Sequence, residues 1–261
     1  MSDATAARIA ALYRYPVKGL TAEALERVTL DAGATMPFDR AYAIENGPGP
    51  FDPADPKHLP KIHFLMLMRN EQLASLRTEF NDASHHLTIT RDGEDIASGD
   101  LRAANDCQTI EAALQNLFGP GLRGAPRIVS ASGHSFSDVA AKCLHIINLE
   151  SVRALEKALA VKINPLRFRP NVVIDGWPAW SEFECVGQAV TAGAATLGVF
   201  KRTERCAATN VDPDTGIRDL KIPSFLSRTF GHTDFGVYAR VASGGAIARG
   251  DALARTGRPI A

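Results

Sequence analysis

Residues 201–216, KRTERCAATNVDPDTG, hold the side chains best equipped for chemistry. Cys206 follows Lys201, Arg202 and Arg205 and stands just before a turn sequence. Clustered cations favour the thiolate form of a cysteine, the form that ligates soft metals or attacks electrophiles. A cysteine at a strand end also serves as a small apolar side chain, and the segment alone leaves both readings open. Asp212-Pro213-Asp214-Thr215-Gly216 carries type I turn preferences. A second segment is Arg167-Phe168-Arg169-Pro170-Asn171. Its Arg169 offers a planar fork for phosphate or carboxylate, and Asn171 donates or accepts; solvated arginines at a strand start are the alternative. A third is Tyr15-Pro16-Val17-Lys18-Gly19, where Lys18 is either a phosphate ligand or simply a solvated lysine.

Other chemistries are excluded by pattern. The chain has no Walker A loop, no G-x-G-x-x-G after a strand, no G-x-S-x-G elbow and no H-E-x-x-H. The seven histidines show no ligand spacing beyond the adjacent pair His85-His86. None of the four cysteines sits in a CxxC pair, which argues against a zinc ribbon or an iron–sulfur cluster. Cys107, Cys143 and Cys185 read as structural.

The elements that must position these segments are mostly short strands. In 261 residues with 45% hydrophobic and 22% charged side chains, the composition is that of a globular protein. The formal charge is zero, which gives no general case for nucleic acid or for an electrostatic membrane role. Asp3 and the lack of a long apolar core predict no secretory leader, and the uncharged run 185–200 is short and glycine-broken. A cytoplasmic protein is expected. Strands are predicted at 9–15, 25–30, 41–45, 87–90, 127–130, 144–147, 171–175, 195–202 and 236–241. Helices are predicted at 71–80, 106–118 and 151–160, with about four helices in all. Residues 46–60, with five prolines, form a loop. Many strands and few helices suggest a β-rich α+β fold, a barrel with peripheral helices, rather than a doubly wound parallel sheet.

Taken in order, YPVK near the start, Asp39-Arg40, FRPN in mid-chain, RCAATNVDPDTG and a late Gly236-Val237-Tyr238 resemble one family over nearly the whole chain. That family is MOSC, named for the C-terminal domain of molybdenum cofactor sulfurase. The resemblance is to members with an N-terminal MOSC β-barrel domain, including mitochondrial amidoxime-reducing components and their bacterial relatives. It implies an N-terminal β-barrel-like domain over 1–104 and a cofactor-binding MOSC domain over 105–261. It also implies a molybdenum cofactor, a pterin whose dithiolene holds the metal. Cys206 matches the protein sulfur ligand to molybdenum and is the catalytic residue the resemblance implies. Arg169 and Asn171 match residues that hold the pterin and its phosphate. Lys18 and Arg40 match first-domain residues that close over it, and Arg205 and Tyr238 fall near it.

The implied activity is reduction of N-hydroxylated small molecules, with N–O cleavage at molybdenum. No appended ferredoxin domain follows residue 251, so the expected electron donor is a separate protein: a flavoprotein reductase, a ferredoxin or a b-type cytochrome. Neither a nucleic-acid nor a membrane partner is expected. The alternative is a cofactor carrier or a persulfide-bearing sulfur-transfer module, working with a pyridoxal-phosphate sulfurase of the kind fused to other MOSC domains. Two departures stand out. Gly19 replaces the serine that follows PVK in many relatives, and the 46–60 loop lacks their threonine–glutamine–arginine run.

Overall fold

The structure is a computed structural model that describes residues 7–260; the stretch around Asp3 lies outside the described residues. The first strand, β1 (Ala7–Arg14), turns both Ile9 and Leu12 into the core, an odd spacing that simple alternation forbids. A bulge between Ile9 and Ala11 supplies the missing residue of register. Next come β2 (Glu23–Leu25), β3 (Arg27–Leu30) and β4 (Tyr42–Glu45). A three-stranded antiparallel sheet follows, β5 (Leu76–Asn81), β6 (His86–Arg91) and β7 (Glu94–Asp100). Helix α1 (Ala104–Phe118) packs on β7, burying Ile110, Leu114 and Phe118. β8 (Arg127–Ser130) pairs with β4.

The second half begins with β9 (Leu144–Asn148), α2 (Leu149–Leu159) and β10 (Val172–Asp175). β9 and β10 run parallel, and a parallel pair needs a crossover, which α2 provides. The Asn148 side chain accepts from Glu150 N at 3.2 Å to start that helix. The remaining elements are β11 (Gln188–Ala192), β12 (Ala195–Glu204), α3 (Ile222–Phe230), β13 (Asp234–Ser243), β14 (Gly245–Ala248) and β15 (Ala252–Pro259).

Seven strands form a closed barrel in the order β10, β9, β13, β12, β11, β15, β1, and β1 pairs back onto β10. Closure leaves no open edge. The barrel core includes Leu12, Ile146, Val172, Val199, Val237 and Leu253. A second apolar cluster joins β5, β6 and α1 through Leu76, Ile89 and Leu114. The β-rich class with peripheral helices predicted from sequence is the observed one. β1 comes from the first residues of the chain yet completes the barrel built mainly by the last hundred.

Several elements depart from the sequence reading. Residues 71–80 are not a helix: Glu71–Ser75 make one 3-10 turn and Leu76–Asn81 are strand β5. Leu76 and Phe80, four apart, satisfy both periods, and the buried-exposed alternation through Thr78 belongs to a strand. The predicted strand 25–30 breaks at Glu26, because β2 pairs with β1 whereas β3 pairs with β14. Among the described residues there are three α-helices, and α3 was not predicted. Its signals were present: Pro223 in the first turn and Gly231 (φ 76°) at the C-terminal cap.

Gly236 shows why the Gly-Val-Tyr run begins as it does. Its φ is 75°, and a Cβ there would lie 2.4 Å from Ile146 O and 2.7 Å from His145 Nε2. Only a bare backbone lets β13 approach β9 so closely. Gly236→Ala should therefore destabilise the protein by about 3 kcal/mol, from left-handed strain plus overpacking. Thermal unfolding checks this, and an unchanged Tm would refute it.

Candidate cofactor site

Three loops converge beside the barrel. The first follows β1: Lys18 N donates to Tyr42 O at 2.8 Å, and Arg40 N donates to Tyr15 O at 2.7 Å. The second precedes β10. Asn164 accepts from Leu166 N at 2.9 Å, starting a 3-10 turn that ends at Arg169. The third follows β12, where Cys206 begins the turn Ala207–Asn210 and its carbonyl accepts from Thr209 N and Oγ1. Guanidinium-to-carbonyl bonds tie the loops together. Arg169 Nη1 donates to Leu20 O at 2.9 Å, Arg205 Nη2 to Phe168 O at 2.9 Å, and Arg40 Nη2 to Arg169 O at 3.4 Å. The predicted DPDTG turn forms, with Asp212 Oδ1 accepting from Asp214 N and Thr215 N at 2.9 Å. Its other oxygen pairs with Arg167 at 2.7 Å, which also pairs with Asp219.

Between these loops lies a cavity of about 260 Å³. Cys206, Lys18, Arg40, Arg169, Asn171, Arg205 and Tyr238, all singled out from sequence, line it together. Arg40 (φ 53°) and Arg169 (φ 51°) both adopt left-handed backbone, as does Phe38 (φ 60°). Such strain in non-glycine residues gathers at functional sites, where the surroundings over-determine the conformation. Gly19 has φ 87°, and a Cβ there would lie 3.1 Å from Leu65 O, so this backbone is shaped for the glycine it carries.

The electrostatics are lopsided. Leaving aside Arg167, paired as above, six basic side chains face three carboxylates, Asp39, Asp138 and Glu204. Arg169 and Arg40 lie 4.0 and 4.6 Å from the Tyr15 ring. Burial, with Arg40 adding its charge, pushes Arg169 down to about 10. Burial also lowers Lys18, although Asp138 pulls the other way. Arg40 is raised: burial opposes its charge, but Asp39 outweighs it. Buried Arg169 Nη2 and Arg205 Nε have no hydrogen-bond partner. Unpaired buried donors of this kind are costly and call for an acceptor.

Asn171 is more structural than its motif implied. Its Oδ1 accepts from His145 N at 3.0 Å and its Nδ2 donates to Tyr13 O at 3.2 Å, stitching β9 to β1 beneath the cavity. Sequence reasoning also missed residues. Asp138 is clasped by Lys18 and lies 3.6 Å from Lys61. Burial pulls its carboxyl up, but Lys18 and Lys61 hold it well below the usual range. Lys61 follows the proline-rich loop and faces both Asp138 and the Cys206 sulfur; burial lowers it, yet those neighbours raise it overall. His145, in an apolar run without a motif, sits on the cavity floor opposite Tyr238 across the β9–β13 pair. Cys143, read as structural, also lines the cavity, and burial pushes its thiol up to about 12. No pattern marked these positions, because each gains its role only through pairing distant in sequence.

Among the described residues no three His, Cys, Asp or Glu side chains gather as a protein-only metal site.

The model of the MOSC domain matches residues 131–254, and that of the MOSC N-terminal beta barrel domain matches residues 6–125. The chain belongs to the MOSC family. Its function is of the molybdenum-cofactor-associated type that marks MOSC proteins. The MOSC chain is similar to mitochondrial amidoxime reducing component 2 of Rattus norvegicus, 30% identical over 43% of this chain and 36% of that protein. It is also similar to mitochondrial amidoxime-reducing component 1 of Mus musculus, 35% identical over 30% of this chain and 22% of that protein. The matches thus span about a third or less of these relatives' length. Among solved structures, the YuaD protein of Bacillus subtilis covers 95% of this chain and 94% of its own, at 14% identity and a TM-score of 0.45. YiiM from Geobacillus stearothermophilus covers 44% of this chain and 54% of its own, at 22% identity and a TM-score of 0.35. No helix among the described residues is long and apolar enough to cross a membrane.

Proposed function

We propose that this protein is a molybdenum-cofactor oxidoreductase that reduces N-hydroxylated compounds, with Cys206 as the protein ligand to the metal. One observation carries the reading: a cysteine and an excess of cations, drawn from distant segments, line one cavity, and two buried guanidinium nitrogens among them lack partners. A soft sulfur beside donors for an anion suits a dithiolene-bound metal with a phosphate tail. Arg169, Arg205 and Arg40 would hold the anionic groups, Lys18 would close over them, and Tyr238 would wall the chamber. Asn171 would keep β1 and β9 in place below, with one amide N–H left to donate. Bound there, the cofactor would supply the two-electron couple that N–O cleavage needs.

The chain's own residues have defined tasks. Cys206 would ligate the metal in a chamber that it shares with Lys61 and Asp138. Lys61, raised by its neighbours, stays an ammonium and stabilises negative charge on the sulfur and on a departing oxygen. Reduction of R–NHOH to R–NH2 and water consumes two electrons and two protons, so an outside donor is required. A separate electron-transfer protein in the cytoplasm fills that role in this reading.

The test is turnover. Protein from a host that makes the cofactor should convert an amidoxime to its amidine with a reduced viologen dye as donor. A cofactor-loaded protein without turnover on any N-hydroxylated compound would overturn the enzymatic reading and favour a carrier.

A further inference from the structure

The cavity has two unlike sides. Its cationic side is described above. Its rim includes Met66, Leu67 and Met68, three apolar side chains in a row, the last two half-exposed. They sit on a tight turn. Asn70 N donates to Met66 O at 2.8 Å, and Asn70 Oδ1 accepts from Met66 N at 3.3 Å. That turn leaves the carbonyls of Leu67 and Met68 pointing outward. Arg218 takes both, its Nη2 donating at 3.1 and 2.8 Å, and it also reaches the Glu71 carboxylate at 2.9 Å. The other end of the same guanidinium, Nη1, donates to Ala207 O at 3.2 Å, one residue from Cys206. Backbone pairing of Arg218 with Val211 fixes its place at the foot of the DPDTG turn. Arg77 Nη2, donating to Asp214 O at 2.9 Å, seats that turn against the first half of the chain.

We propose that Met66, Leu67 and Met68 form the substrate-facing wall of the site, and that Arg218 is the positioning residue that sets this wall over Cys206. The inference rests on the function proposed above and deepens it: the wall determines which carbon substituent of an N-hydroxylated compound the chamber accepts. The cationic side is matched to an anion, so the apolar rim is the part of the chamber left for an organic substituent. Methionine and leucine adapt to varied apolar shapes, which suits a broad substrate range. A lysine cannot replace Arg218, because the planar fork reaches the lip and the Cys206 loop at once.

Two readouts separate this proposal from the one beneath it. In hydrogen exchange, amides of residues 66–71 should exchange at least about tenfold faster in Arg218→Gln than in wild type, since the clasp is what holds the lip to the Cys206 loop. Arg218→Lys should fall between. In saturation-transfer NMR without turnover, an aromatic amidoxime should bind wild type in preference to acetamidoxime. Met68→Ser should lower that preference about tenfold, the scale for lost apolar contact in a pocket. In turnover, the effect of both variants should fall on KM of the aromatic substrate rather than on kcat. Unchanged exchange in Arg218→Gln would overturn the clasp. An aromatic preference unmoved by Met68→Ser would overturn the wall. Aromatic binding that depends on Met68, without any turnover in wild type, would keep this inference and sink the reductase assignment.

Discussion

Replacing Cys206 with serine should leave a folded protein that reduces amidoximes more than about a hundredfold more slowly than wild type. Residues that merely orient a metal ligand cost 10- to 100-fold when changed, so loss of the ligand itself should exceed that range. The fold should be indifferent. The structural duties of Cys206 are carried by its backbone carbonyl, which accepts from Thr209 N and Oγ1, and a serine keeps that carbonyl in place. The change in unfolding free energy should stay within about 0.5 kcal/mol, the usual scale for a substitution away from the core. Steady-state rates with a dye donor, read beside urea unfolding curves, check both halves. A variant with full activity would remove Cys206 from the chemistry.

The cofactor-free protein should also be unusually sensitive to mild acid, and His145 is the reason. Its ring is 4% exposed, with Nε2 3.2 Å from Phe235 O and Nδ1 3.4 Å from Arg169 O. Burial, then the charge of Arg205, push its pKa down to about 3; the two carbonyls pull upward and Arg40 pushes down further. Above pH 6.5 the ring is neutral in both folded and unfolded chains. Between pH 6.5 and about 3 the unfolded chain takes up a proton that the folded one refuses. Stability is therefore lost as pH falls through that window, at about 1.4 kcal/mol per pH unit and on the order of 5 kcal/mol in all. Asp138, held below the usual carboxylate range, adds a further loss at the acid end. Urea unfolding at pH 7, 5.5 and 4.5 should show the slope, and His145→Gln should flatten it. An anion in the cavity would offset Arg205 and Arg40, so the loaded protein should show a shallower slope. Equal slopes for wild type and His145→Gln would contradict the account.

Much of the site was legible because its residues lie in compact runs whose types are restrictive. RCAATNVDPDTG, FRPN and YPVK each put a cation or a thiol at a loop, and the fold gathers all three around one chamber. Other parts were hidden for physical reasons. Lys61 and His145 become site residues only through long-range pairing, and neither sits in a distinctive pattern. Arg218 is one of many arginines in the sequence; its importance appears only when its fork meets three acceptors on the other half of the chain. In the fold, strands with β-branched and bulky side chains such as β9, β10 and β13 were readable. The last strand, β15, was not, because Leu253 is its one buried large side chain. β7 escaped for the same reason, with polar residues along most of its length. At residues 71–80 a leucine-to-phenylalanine spacing shared by helix and strand gave the wrong period, and the sheet with β6 decided it.

The central claim is that Cys206 and the buried cations together hold a molybdenum cofactor. The most direct measurement is the molybdenum and pterin content of protein purified from a cofactor-producing host, wild type beside Cys206→Ser, by mass spectrometry and pterin fluorescence. The account predicts near-stoichiometric metal and pterin in wild type, with metal lost or loosely held in the variant. A well-folded wild type that carries neither metal nor pterin would contradict it.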